Sequence, residues 1–303
     1  MSCLVIVYSI TVYLISKKVL LNKEYCKIYS LLCVFCTAFI VNTSVLIRDV
    51  YITLFMYLAI YLSYKFFKTK NIIYLISTLL STYLLYSFRP YAAIILIIGI
   101  IAGNIIRNIK FRKYKNNLRV NKWTLILIIL LPFILLSILC GLNFLISNSM
   151  LFIKELSVEA LISTRESAYL GSTSDYSWDF FSLYNKFFLL PFIIGYSCLF
   201  FAPFPWEWIY VKRLHFIPDM LILYTLLPSF LKNIKKVFTD KNYFLSIYFC
   251  TMIIMFGIYC ITLANSGAIH RLRGPYIPMI YLIAMYRPDK FLRKILNKII
   301  KIF

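Results

Sequence analysis

The sequence predicts an all-α fold: a polytopic integral membrane protein of about nine transmembrane helices, roughly eight to ten. Three observations carry this. The 303-residue chain is 62% hydrophobic with a mean hydropathy of +0.82, well above the composition of a soluble domain. Its apolar segments run for about 15–24 residues without alternating polarity, which favours helices over a barrel. Finally, 33 Lys and Arg against 11 Asp and Glu give a net charge of +22, and the basic residues gather in short clusters between the apolar segments. That placement is the pattern of membrane loops and argues against a nucleic-acid partner.

Spans are expected over residues 2–16, 28–47, 50–64, 71–88, 91–108, 123–146, 215–231, 243–264 and 275–286. The shorter ones must pack against neighbours or thin the bilayer. The first segment lacks a basic n-region and a small-residue cleavage site, so it reads as a span and not a signal peptide. Its shortness leaves open that the chain is a fragment of a longer protein.

Orientation follows from the loops. The segments 17–27, 65–70, 107–122, 232–241 and 287–301 hold 24 of the 33 basic residues. Nine spans with the N-terminus outside put all five inside the cytoplasm. Eight of the eleven acids then fall outside, six of them in an insertion over residues 147–218. The chain is thus expected to form a single transmembrane domain, 1–303, carrying an extracytoplasmic insertion. Within it, residues 151–164 have the pattern of an interfacial helix. Residues 187–204 are long enough to cross, but Pro191, Gly195 and Pro203 interrupt helix. A re-entrant hairpin is expected there, with a tenth span as the alternative. Gly99 and Gly103 form a GxxxG suited to close helix packing. Cys33 and Cys36 have CxxC spacing inside an apolar span, where small packing residues are the expected reading.

No GxGxxG, GxxxxGK[ST], HExxH or GxSxG motif is present, and no cofactor or metal is expected. The two faces differ in their cations. Inside, 5 of 24 basic residues are Arg; outside, 6 of 9 are. Arginine grips phosphate and carboxylate through a planar fork, whereas lysine is a solvated point charge. An anion site on the outer face is therefore expected, with loop-bridging ion pairs as the alternative. Three groups stand at the outer ends of spans: Arg48-Asp49, Arg89-Pro90, and His270-Arg271-Leu272-Arg273. Charges there are costly unless paired, wet or functional. Asp49 could serve as a catalytic acid or base, or as a partner for Arg48 and a helix cap. Trp206 and Trp208, flanking Glu207, suit a membrane interface or the face of a sugar.

Arg48-Asp49, Ser87-Phe88-Arg89-Pro90-Tyr91, Ala202-Pro203-Phe204-Pro205-Trp206 and Arg271-Leu272-Arg273-Gly274-Pro275-Tyr276-Ile277-Pro278 together resemble multi-pass proteins of bacterial surface-polysaccharide biosynthesis. These are the GT-C-type glycosyltransferases and the O-antigen or capsule polymerases. The resemblance covers most of the chain in hydropathy but only these four motifs in residues. It implies a polyprenyl-(pyro)phosphate-linked sugar used at the outer face of the cytoplasmic (inner) membrane. Arg48, Arg89, His270, Arg271, Arg273, Trp206, Glu207 and Trp208 would then bind the substrate, and Asp49 would be catalytic. GT-C enzymes usually carry their acid in the first outer loop, and here that loop is the Arg48-Asp49 turn. The competing readings are a transporter or flippase of a lipid-linked or anionic solute, and a non-catalytic assembly subunit.

Overall fold

The structure, a computed structural model, describes residues 2–37, 40, 49–108, 190–207, 216–240, 242–262 and 266–302. The expected span 123–146, the loop 109–122, the interfacial helix 151–164, Arg48 and Trp208 lie outside the described residues. All regular structure among the described residues is helical. The elements are α1 (Ser2–Val19), α2 (Lys23–Val34), α3 (Asp49–Thr69), α4 (Ile72–Phe88), α5 (Pro90–Asn108), α6 (Leu190–Phe201), α7 (Ile217–Thr239), α8 (Tyr243–Thr262), α9 (Ser266–Arg273), α10 (Ile277–Tyr286) and α11 (Lys290–Ile302). Short 3-10 turns sit at Pro205–Glu207 and Gly274–Tyr276. Three described segments are long and apolar enough to cross a membrane: Asp49–Thr69, Pro90–Asn108 and Tyr243–Cys260. Ile72–Phe88 is a shorter apolar helix.

The chain divides into two compact units: Met1–Val120, His215–Met252 and Gly274–Phe303 form the first, and Asn121–Leu214 and Ile253–Arg273 the second. In the first unit, helices α3, α4 and α5 are consecutive antiparallel neighbours joined by two tight turns. Lys70, at φ 59°, closes α3 in the left-handed region and returns its N–H to the Phe66 carbonyl. Asn71 then caps α4 by accepting from the Ile73 N–H at 2.9 Å.

The packing of α4 is inverted relative to a soluble helix. Its buried residues are Thr78, Ser81, Thr82 and Leu85. Ile72, Ile73, Ile76, Leu79, Leu80 and Tyr83 point outward. In water such a contiguous apolar face is rare. In lipid it is expected, because small residues let helices approach while large ones meet the acyl chains. The Thr78, Ser81 and Thr82 hydroxyls donate to carbonyls one turn back, which satisfies the protons of these three buried side chains within the helix. Helix α5 repeats the pattern in part. It buries the small Ala92, Ala93, Gly99 and Gly103 together with Ile95, Leu96 and Ile106, and exposes Ile97, Ile101 and Ile105. Its GxxxG meets α8. A Cβ on Gly103 would lie 2.6 Å from the Ile247 side chain and 2.8 Å from its backbone, and one on Gly99 would collide with Thr251. Glycine is required on both turns of this seam.

Behind them, α10 runs through the core of the first unit, buried from Ile277 to Met285. Two hydrogen bonds from one side-chain amide tie it to α7: Asn233 Nδ2 donates to the Ile283 and Ala284 carbonyls at 2.9 and 3.0 Å. The buried Tyr29 and Tyr57 hydroxyls donate to the Pro278 and Pro275 carbonyls at the start of this segment, at 3.1 and 3.2 Å. At ten residues α10 is shorter than a full crossing.

Two readings of the sequence change. Residues 190–201 form one helix, and Gly195 does not interrupt it. Instead Gly195 lets α6 approach α8, since a Cβ there would lie 2.7 Å from the Cys260 Cβ. Residues 290–302, counted as loop, form the amphipathic helix α11, capped by Asp289, which accepts from the Leu292 N–H at 2.8 Å.

Candidate functional site

The turn between α4 and α5 places the first charge. A residue before proline is driven to extended backbone, so α4 stops at Phe88, and Pro90 is accepted as the first residue of α5. Arg89 is left between them at φ −155° and ψ 92°. Its N–H returns to Leu85, and its carbonyl accepts from Ala92 at 3.0 Å. The backbone of Arg89 is therefore held on both sides, which aims the guanidinium. Asp49 opens α3, where a carboxylate suits the positive end of the helix. Tyr51 and Phe55 of α3 stack on Phe88 of α4, with ring centroids 5.1 and 6.0 Å apart, and hold the two helix ends side by side.

The two charges meet. Arg89 donates from a terminal guanidinium nitrogen to Asp49 Oδ1 at 2.7 Å. Their exposures are 4% and 1%, so this is a buried ion pair and not a surface one. Burial of either charge alone would be prohibitive, and the pair is tolerated because each neutralises the other. The guanidinium carbon also stands 5.6 Å from the centre of the Tyr91 ring, a cation–π contact with the second residue of α5. Asp49 is thus bonded to an arginine forty positions away. Chemically, the site offers a planar cation whose orientation a carboxylate fixes.

A second buried carboxylate of the first unit was counted in the sequence only as an outer acid. Asp219 sits in the first turn of α7, behind Pro218, and is 2% exposed. It accepts from the Thr37 N–H at 2.9 Å, the Thr37 hydroxyl at 2.6 Å and the Cys36 thiol at 3.3 Å. A proline followed by an acid is a helix-start signal, but nothing in sequence spacing points to Thr37. Cys36 is thereby a hydrogen-bond donor as well as a packing residue.

The remaining described candidates belong to the second unit. Arg273 is fully buried, and one guanidinium nitrogen donates to the carbonyls of Leu199 at 3.3 Å and Ala202 at 2.8 Å. These carbonyls lie at the end of α6, where a helix lacks internal partners and its dipole is negative. Arg271 is exposed on the same helix. Two positions apart on an α-helix, the two arginines point in different directions and do not form one fork. His270 lies in that helix too. Glu207 Oε2 accepts from the Phe204 N–H at 2.8 Å and closes the turn after α6. Trp206, 69% exposed, stacks on Phe204 with centroids 4.8 Å apart and planes 3° from parallel. That flat aromatic pair suits an interface or a sugar ring.

Comparison with known proteins finds no matching family model, no matching curated protein and no matching solved structure.

Proposed function

We propose that this chain is a nine-span inner-membrane protein with its N-terminus outside, its C-terminus in the cytoplasm and residues 147–218 at the outer face. There it transfers or polymerises sugars from a polyprenyl-phosphate-linked carrier for cell-surface polysaccharide. The observation that supports this best is the buried Asp49–Arg89 pair, fixed where three helices end. Charged groups at such depth are retained for a role in pairing or in function.

In this reading Arg89 holds the carrier (pyro)phosphate and stabilises the charge that grows as it leaves. Asp49 keeps the guanidinium oriented and takes the proton from the acceptor hydroxyl. The acceptor oxygen bonds to the anomeric carbon, the bond from that carbon to the phosphate oxygen breaks, and the carrier leaves with the bonding electron pair. Arg89→Lys keeps the charge and the ion pair but loses the fork. It is expected to lower polysaccharide extension by about 30- to 1000-fold, equivalent to about 2–4 kcal/mol, at normal protein level. Near-normal chain length in that variant removes the phosphate role.

The topology has its own test. Single cysteines at Lys115 and Ser174, in a background without the native cysteines, are treated in intact cells with a thiol reagent that cannot cross membranes. Ser174→Cys should label and Lys115→Cys should not. The reverse result overturns the orientation.

A further inference from the structure

Helix α11 carries its cations on one face. Lys290, Arg293, Lys294, Asn297, Lys298 and Lys301 line one shallow groove of about 380 Å³. At 3.6 residues per turn they occupy an arc of about 140°. The opposite arc is apolar: Leu292 and Leu296 are buried, and Ile295, Ile299 and Ile300 are half-buried. That face packs on α7. The helix contains no acid. The cap, Asp289, is engaged with the Leu292 N–H and the Ser229 hydroxyl. Phe291, at the boundary between the two faces, is 60% exposed.

Neighbouring segments of the first unit add charge of the same sign. The Tyr25 hydroxyl lies 3.5 Å from Asn297 Oδ1, which brings the start of α2, with Lys23 and Lys27, beside the stripe. The nearby Glu24 is taken by Lys27 at 3.0 Å. Asp240, at the end of α7, is taken by Arg287 at 2.9 Å. Five cations on one helix face therefore have no acid on their own helix, and the acids nearest in the chain are engaged elsewhere.

We infer that the cationic face of α11 is a binding site for the anionic headgroups of the adjoining leaflet, with Phe291 inserted at the headgroup–acyl boundary. Basic amphipathic helices flanked by an aromatic bind anionic interfaces in this way, and each cation near the surface contributes a factor of about five in affinity. The site is independent of the sugar chemistry proposed above. It requires only that the helices of the first unit lie in a bilayer.

The test uses the full chain purified in a nonionic detergent and titrated with dioleoylphosphatidylglycerol, dioleoylphosphatidylcholine or inorganic phosphate, reading the thermal midpoint. Phosphatidylglycerol is expected to raise the midpoint, and high salt should suppress that rise. The variant Lys290→Gln/Arg293→Gln/Lys294→Gln/Lys298→Gln/Lys301→Gln should need more than about a hundredfold more phosphatidylglycerol for the same rise. Substituting the four lysines by arginine should leave the titration unchanged. If the fivefold variant does not fold, Lys294→Gln/Lys298→Gln serves in its place, with an expected loss of about 25-fold. A glutamine variant that titrates like the native chain, or a rise produced equally by phosphatidylcholine or by phosphate alone, overturns the site.

Discussion

Asp49→Ala is expected to destabilise the protein by about 3–5 kcal/mol, because it removes the carboxylate that neutralises the buried Arg89 guanidinium at 2.7 Å. The pair is 1% and 4% exposed and its contact is 2.7 Å, so neither solvent screening nor side-chain disorder softens the loss. Removing both charges should recover most of it: Asp49→Ala/Arg89→Met leaves no uncompensated charge, and apolar replacements of buried pairs are often neutral. Thermal or denaturant unfolding of purified full chains in one detergent measures the cycle, and the coupling energy isolates the pair. A single variant as stable as the native chain would show that Asp49 is not what compensates the Arg89 charge. The double variant also separates structure from chemistry. If the pair only holds α3 against the α4–α5 turn, the folded double variant should extend polysaccharide normally. If it carries the reaction, the double variant should fold and fail.

How much of this was legible in the sequence depends on whether the information is local. The helices α3, α4 and α5 follow from uninterrupted apolar runs, an Asn cap and a proline at a helix start, all of which act within a few residues. The Gly99–Gly103 seam was legible for the same reason, since its spacing alone requires one small-residue face. Partners were not legible. The sequence placed Asp49 beside Arg48, but the antiparallel return of α4 brings in Arg89, and no neighbour rule reaches across that hairpin. Asp219 and Thr37 are separated still further. The helix α11 was hidden by composition: its charges are as dense as those of a loop, and only their spacing reveals a face. The mixed Arg271–Arg273 group was misleading as a unit, because helical geometry sends alternate residues to different sides.

Arg273 therefore calls for a different experiment from Arg89. It is fully buried, its Nη1 donates to backbone carbonyls, and those carbonyls end α6. Arg273→Met fills much of the same volume but donates nothing. The Leu199 and Ala202 carbonyls would each lose a donor, at about 1–3 kcal/mol apiece for a buried acceptor. A total loss of about 3–5 kcal/mol is expected. Arg273→Lys retains a cation at the negative end of the helix and can still reach a carbonyl, so it should recover at least half of that stability. For a phosphate ligand the order of effects differs: Lys would fold normally and lose activity, because the fork and not the charge is what grips two oxygens. Unfolding midpoints and polysaccharide length, measured together on Arg273→Met and Arg273→Lys, separate the two roles. Lysine near native in both readouts, with methionine unstable, assigns Arg273 to anchoring α6. Lysine stable but inactive assigns it to the substrate, and methionine as stable as the native chain removes the anchoring role.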